Sequence, residues 1–245
     1  MARRTDSGPA PRQRAVALVD LEPRDGTPGL AETLQRLCRA VTHDLDLAGA
    51  TVTLVPDETS HSVLAASGEQ VRRTEERQFD AGEGPTHRAF VTGEPVVVPR
   101  LQGAGSRWPE FTQEAESSGV SSVASLPLCV GAARLGSLSL YWKRGSGPTY
   151  EDLRSALVFA DLATELLIDS SCSPTSEDLD PGLHSALQTH GHIYQAQGML
   201  MVALGVHLPE ALARMRAHAF ATGQDLEGVA EQILEGELVL TRDPP

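Results

Sequence analysis

The chain has 245 residues, with 20 basic side chains against 33 acidic ones, a formal net charge of −13, 40% apolar residues and 4% aromatic ones. That length suits one or two domains, and apolar residues recurring in periodic blocks exclude wholesale disorder. The acidic balance argues against broad, non-specific nucleic-acid binding, which wants basic patches.

No apolar run approaches the roughly 18 residues of a membrane span. The start, MARRTDSGPAPRQR, lacks the apolar segment of a secretory signal. Cys38, Cys129 and Cys172 are distant and odd in number, which fits a reducing cytoplasm and excludes a disulfide framework or a CxxC zinc site. Every basic residue except Lys143 is arginine, which points to a GC-rich genome.

Residues 1–26 are expected to be a mobile tail with five arginines and three prolines. Within it, residues 15–22 form a short apolar segment, not the first strand of a receiver domain, because no repeated strand–helix unit follows. Thr27-Pro28 signals a helix start. Leu30, Leu34, Leu37, Val41 and Leu45 then form an amphipathic stripe that stops before Gly49. Residues 50–55 and 62–66 read as strands.

Gly82-Glu-Gly-Pro85 reads as a tight turn into a short helix over 86–91. Gly93-Glu-Pro95 closes that helix and opens a strand over 96–99. A short helix is expected at 109–117, then strands at 121–128 and 135–142 with Gly131 in the turn between them. Thr149-x-x-Asp152 resembles a capping box, opening a helix with Leu153, Leu157, Ala160 and Leu167 on one stripe. Residues 27–170 are therefore expected to form an α+β domain, an antiparallel sheet flanked by helices.

The stretch 171–182, SCSPTSEDLDPG, has a linker composition. Beyond it, residues 183–240 carry no strand signal. Helices are expected over 183–203, 209–222 and 226–238, punctuated by Gly205 and Gly223, and three such helices can share a small core.

The run Ile193-Tyr-Gln-Ala196-Gln-Gly198-Met-Leu200-Met201, with Gly205-Val206, Pro209-Glu-Ala211-Leu212, Met215-Arg216, Ala219 and Leu226-x-x-Val229-Ala230, resembles an ANTAR domain over about 183–235. The resemblance implies a three-helix RNA-binding module that acts as a dimer on paired hairpins in a nascent transcript and stabilises an antiterminator. Its candidate RNA-binding residues here are Tyr194, Gln197, Gly198, Arg214, Arg216 and Phe220.

Glycine inside a helix costs about 1 kcal/mol relative to alanine, so Gly198 calls for either close helix packing or close approach of an RNA backbone. Gln197 is expected to be exposed beside it. Arg214 and Arg216 suit phosphates and base edges, or are ordinary surface charges. Tyr194 and Phe220 suit base stacking, or core packing, which is favoured for Phe220. The family is often basic at the position of Gln197 and polar-basic at Gln224 and Asp225.

Residues 181–245 hold three arginines against seven acids, so few phosphates are neutralised and modest affinity is expected. Five of the eight histidines also fall here, but His190 and His192 do not share a helix face, and no metal is expected.

Gly82-Glu-Gly-Pro85, Thr92-Gly-Glu-Pro95-Val-x-Val98-Pro99, Arg107-Trp108-Pro-x-Phe111, Ser122-Val-x-Ser-Leu126-Pro-Leu128 and Leu135-Gly136-x-Leu-x-Leu140 resemble a GAF domain over about 30–169. The resemblance implies a small-molecule sensor or dimerisation module. No cysteine lies between Cys38 and Cys129, so covalent bilin attachment is not expected. His87 as a haem ligand is outweighed by a surface histidine on a short helix, and Gly82-x-Gly84 as a phosphate cradle by a turn. Cys38 and Cys129 read as buried structural thiols, which disfavours a reactive-cysteine reductase. No cofactor is expected and the GAF ligand is unknown. The motifs of hydrolases, P-loop enzymes, zincins and kinases are missing from the sequence.

The GAF–ANTAR layout recurs in actinobacterial regulators, in keeping with the arginine preference. The expectation is a cytoplasmic, non-enzymatic homodimer that binds tandem RNA hairpins under control of its GAF domain. The alternative is a ligand-sensing or protein-interaction regulator with a degenerate RNA module.

Overall fold

The computed structural model describes residues 10–25, 28–57, 60–102, 107–171 and 181–240. The chain runs α1 (Pro11–Leu21), α2 (Leu30–Asp44), β1 (Gly49–Asp57), β2 (Ser60–Ala66), α3 (Glu69–Ala81), α4 (Pro85–Thr92), β3 (Val96–Val98), α5 (Pro109–Ser117), β4 (Val120–Val130), β5 (Ala133–Lys143), α6 (Tyr150–Ser171), α7 (Pro181–Leu204), α8 (Leu208–Thr222) and α9 (Leu226–Leu234). The five strands form one antiparallel sheet in the order β2-β1-β5-β4-β3.

Strand alternation gives the sheet two unlike faces. Ala50, Val52, Ala124, Leu126, Leu128, Leu138 and Leu140 pack with Leu34, Leu37 and Val41 of α2 and with Phe159 and Ala163 of α6 in the main core. Thr51, Thr53, Ser125, Ser137 and Ser139 are the alternate residues of the same strands and are just as buried. Gly136 is set by close approach: a Cβ there would sit 1.9 Å from the carbonyl oxygen of Thr53 on β1.

The five expected strands are all present, and the expected helices at 30–45, 86–91, 109–117 and 149–170 correspond to α2, α4, α5 and α6. The capping box closes in both directions. Thr149 N–H donates to Asp152 Oδ2 at 2.9 Å, and Asp152 N–H donates to Thr149 Oγ1 at 3.1 Å.

Two helix boundaries shift: α2 begins at Leu30 behind Gly29, not at Pro28, and α9 ends at Leu234, not at 238. Two larger features also differ from expectation. Residues 11–21, placed in a mobile tail, form helix α1, which buries Ala15 and Val19 in the main core. Arg36, itself buried, donates to the carbonyl oxygens of Val19 at 2.7 Å and Glu22 at 3.2 Å, satisfying the open end of that helix. Helix α3 had no counterpart in the sequence reading. Its inner face is Val71, Thr74, Glu75, Gln78 and Phe79, mostly polar, so apolar periodicity does not reveal it. Most of the expected linker, residues 172–180, lies outside the described residues, as does Cys172.

Candidate nucleic-acid interface

Helices α7, α8 and α9 bury Ile193, Ala196, Leu200, Leu204, Ala211, Leu212, Met215, Ala219, Leu226, Val229, Ala230 and Ile233 against one another. Gly205 and Gly223, with φ of 64° and 68°, turn the chain between them in the left-handed region. Asp225 caps α9, its side chain accepting from Gly228 N–H at 2.7 Å. Helix α7 also runs along β2 and α2, and α8 meets α3, so the three-helix unit rests on the α+β domain.

The six residues singled out from the sequence separate on this frame. Phe220 is 71% exposed on α8, although core packing was the favoured expectation. Arg216 lies one helical turn before it, on the same face. Both border a hollow of about 220 Å³ shared with Arg77, Asp80 and Glu110. Arg214 pairs with Glu210 one turn earlier at 2.9 Å. Tyr194 is half-buried on α7.

Gly198 has nothing within 4 Å of the position a Cβ would take, so close packing does not account for it and the space beside α7 is open. Gln197 departs from its expected exposure. It is 1% exposed on the core side of α7, and neither amide atom has a hydrogen-bond partner. In this arrangement Gln197 cannot touch RNA. Its position one residue after the buried Ala196 decides this, because the apolar arc of α7 is wide enough to include it.

Apolar Met199 and Val202 are 47% and 87% exposed on the outer face of α7. Together with Phe220, they leave apolar side chains in solvent around a domain with few cations.

Arg216 is held from the other side by α3. Its guanidinium carbon lies 5.5 Å from the centroid of the Phe79 ring. Burial holds its pKa below the ordinary arginine value, an effect that the nearby Asp80 opposes. Asp80 Oδ1 accepts from Leu226 N–H at the start of α9, at 3.4 Å. Burial pushes the Asp80 carboxyl up to about 6, against the lowering effects of that hydrogen bond, Arg77 and Arg216, while Asp225 adds to the rise. Neither Phe79 nor Asp80 was singled out from the sequence. They sit on the helix whose polar face hid it.

The same helix closes a second cluster against the polar face of the sheet. Tyr141 Oη donates to Glu75. Thr51 and Thr53 donate to the two Glu75 oxygens, each at 3.1 Å. Gln78 Nε2 faces Glu75 Oε2 at 3.2 Å, Thr86 Oγ1 at 3.1 Å and Tyr141 Oη at 3.2 Å. Thr86 and Ser139 share a hydrogen bond of 2.7 Å, and Ser139 shares another of 2.9 Å with Ser125.

Burial raises the Glu75 carboxyl above its usual range, although its four hydroxyl neighbours pull it back. It also raises Tyr141, as does the adjacent Glu75. The Gly82-x-Gly84 segment is a turn: Gly82 ends α3 at φ 68°. Gln78 Oε1 accepts from Thr86 N–H at 3.0 Å, where an anion at the start of α4 would sit. A sequence signal for this cluster exists in the Thr51/Thr53 and Ser137/Ser139 pairs, spaced by two within β1 and β5.

Cys38 is buried and its thiol is pushed up to about 12, chiefly by that burial, while Cys129 is half-buried. Among the described residues, no single helix is long and apolar enough to cross a membrane.

Comparison with known proteins places these units. The model of the GAF domain family matches residues 27–167, and that of the ANTAR domain matches residues 182–234. Two Nif-specific regulatory proteins, from Azospirillum lipoferum and Azospirillum brasilense, are each 35% identical over 72 residues, which is 29% of this chain and 12% of those proteins. The chain thus spans only a small part of those relatives. A GAF domain from a phosphoenolpyruvate-protein phosphotransferase of Coxiella burnetii superposes with a TM-score of 0.50 at 12% identity, covering 66% of this chain and 92% of that one, a likeness of fold.

Proposed function

Because this chain belongs to the GAF domain family and carries an ANTAR domain behind the GAF domain, we propose that it is a cytoplasmic, non-enzymatic transcription antitermination regulator. As a homodimer it binds tandem RNA hairpins through its ANTAR domains, under control of the GAF domain. The residues proposed to contact RNA are Tyr194 and Gly198 on α7, Arg216 and Phe220 on one face of α8, and Arg214 on another side of α8.

The observation that carries this reading is Phe220. A ring 71% exposed is costly to leave in water, and this chain has few rings to spare. Unstacked RNA bases are recognised on such rings, with arginine supplying the phosphate contact. Open space beside Gly198 gives an RNA backbone room to approach α7.

The test is a gel shift with tandem-hairpin RNA at low salt. Wild-type protein should bind, and the double variant Arg214→Ala with Arg216→Ala should not. No binding at low salt by the dimer, with or without candidate signals and with α3 held or released, would overturn the reading.

A second reading, a ligand-sensing or protein-interaction regulator with a degenerate RNA module, draws support from the same arginines. Arg214 is paired with Glu210 and Arg216 is turned onto Phe79. Under that reading, the double variant keeps its signalling output.

A further inference from the structure

The GAF and ANTAR domains meet in two places, along α7 beside β2 and α2 and where α3 meets α8, and the second contact belongs to the surface just assigned to RNA. Phe79 is the GAF residue that joins the apolar core of the three-helix unit, and it is 9% exposed there. Its ring lies under the Arg216 guanidinium. Beside that guanidinium is the Gly82 turn, where a Cβ would come within 2.7 Å of an Arg216 nitrogen. Asp80, between them in sequence, accepts from the first amide of α9.

An aromatic ring beneath arginine, with a carboxylate beside it, imitates a stacked base with its phosphate. We propose that helix α3 of the GAF domain and RNA compete for the same Arg216 face of α8, so that RNA binds only when α3 lets go. This proposal rests on the RNA-binding reading above and specifies how the GAF domain governs it.

The contact is built to be exchangeable. Arg216 Nε is buried with no hydrogen-bond partner, so the contact takes that N–H out of water without giving it an acceptor. An RNA phosphate offers the missing acceptor, and a charge-assisted bond is the stronger kind. A hollow of about 220 Å³ beside the contact, walled by Arg77 and Glu110 on one side and Phe220 and Gln224 on the other, shows that the two domains do not close fully around it.

Linkage makes the competition reciprocal. Whatever stabilises the α3 contact weakens RNA binding by the same factor, and RNA loosens α3 in return. A signal in the GAF domain has a short path to this point, because Glu75 and Gln78 of the buried polar network stand one turn before Phe79 and Gly82 on the same helix.

The experiment uses the full chain and measures RNA affinity at fixed salt for the wild type, Phe79→Ala and Asp80→Lys. The first substitution removes the anchor, and the second sets a cation against Arg216 and Arg77. Amide hydrogen exchange over 215–226 reports whether the contact has opened. Both variants should bind tandem-hairpin RNA about tenfold tighter than wild type, and faster exchange should be confined to that segment. Asp80→Lys keeps the test valid if Phe79→Ala folds poorly. Equal affinities in opened and wild-type protein would overturn the competition and leave the RNA reading intact. No binding by any of the three would overturn the RNA reading, and the competition with it.

Discussion

The GAF sheet and the ANTAR bundle treat polar and apolar groups in opposite ways. Behind the sheet, Glu75, Gln78, Thr86, Ser125, Ser139 and Tyr141 are buried and bonded to one another. In the bundle, the buried amide of Gln197 has no partner, while Phe220, Val202 and Met199 face water. A network satisfied within its own domain stabilises one arrangement. The bundle leaves one buried amide unpaired and apolar side chains in water. The contrast separates a cluster whose polar groups satisfy one another from a unit that does not satisfy its own.

Removing the hub of the GAF network should have the largest effect. Glu75→Ala strands Thr51, Thr53 and the Tyr141 hydroxyl at once, and should cost at least about 3 kcal/mol of stability in urea denaturation. Glu75→Gln should cost far less, because burial already favours the neutral acid, for which an amide is a close substitute. Equal losses in the two variants would show that the site needs a charge.

Next in size is Phe220→Ala. Loss of one stacked base should weaken RNA binding by about 1–3 kcal/mol, while stability should move by no more than about 0.5 kcal/mol, as for other surface substitutions. A drop in thermal stability with RNA affinity unchanged would return Phe220 to a structural role.

Gln197→Leu should work in the opposite direction. Replacing an unpaired buried amide with an apolar group should raise stability by about 1–2 kcal/mol, read as an increase in Tm. A loss of stability would show that the amide is paired in solution.

The smallest effect concerns pH. Asp80 at the domain contact titrates at about 6, above the ordinary 3.8, so contact favours the protonated acid. Its contribution is fully present below about 4 and is lost as pH rises through about 6. Arg77, Arg216, Asp225 and the Leu226 amide face it, and all four remain in the comparison. Amide protection at the contact should therefore weaken between pH 5 and about 7 in wild type, and less in Asp80→Asn, whose side chain keeps the acceptor without the charge.

The apolar elements were legible in the sequence because burial and periodicity coincide in them. Leu30, Leu34, Leu37 and Val41 mark α2, and the Thr149–Asp152 box marks the start of α6, from neighbouring residues alone. Helix α3 was not legible, because the surface it packs against is polar. Thr74, Glu75 and Gln78 are inside only because β1, β4 and β5 bring hydroxyls to meet them. For α1, the apolar residues were visible, but the docking was not: it depends on Arg36 from another helix reaching its end.

The sequence by itself determined the two units, the sheet, the three-helix bundle and the glycine turns, since propensity, capping and periodicity are local. Only the tertiary structure decided the state of the candidate RNA residues. Gln197 went inward, Phe220 outward, and Arg216 onto Phe79, 137 positions away in the chain. Burial of a single side chain depends on which distant surface reaches it, and spacing along one helix does not encode that surface.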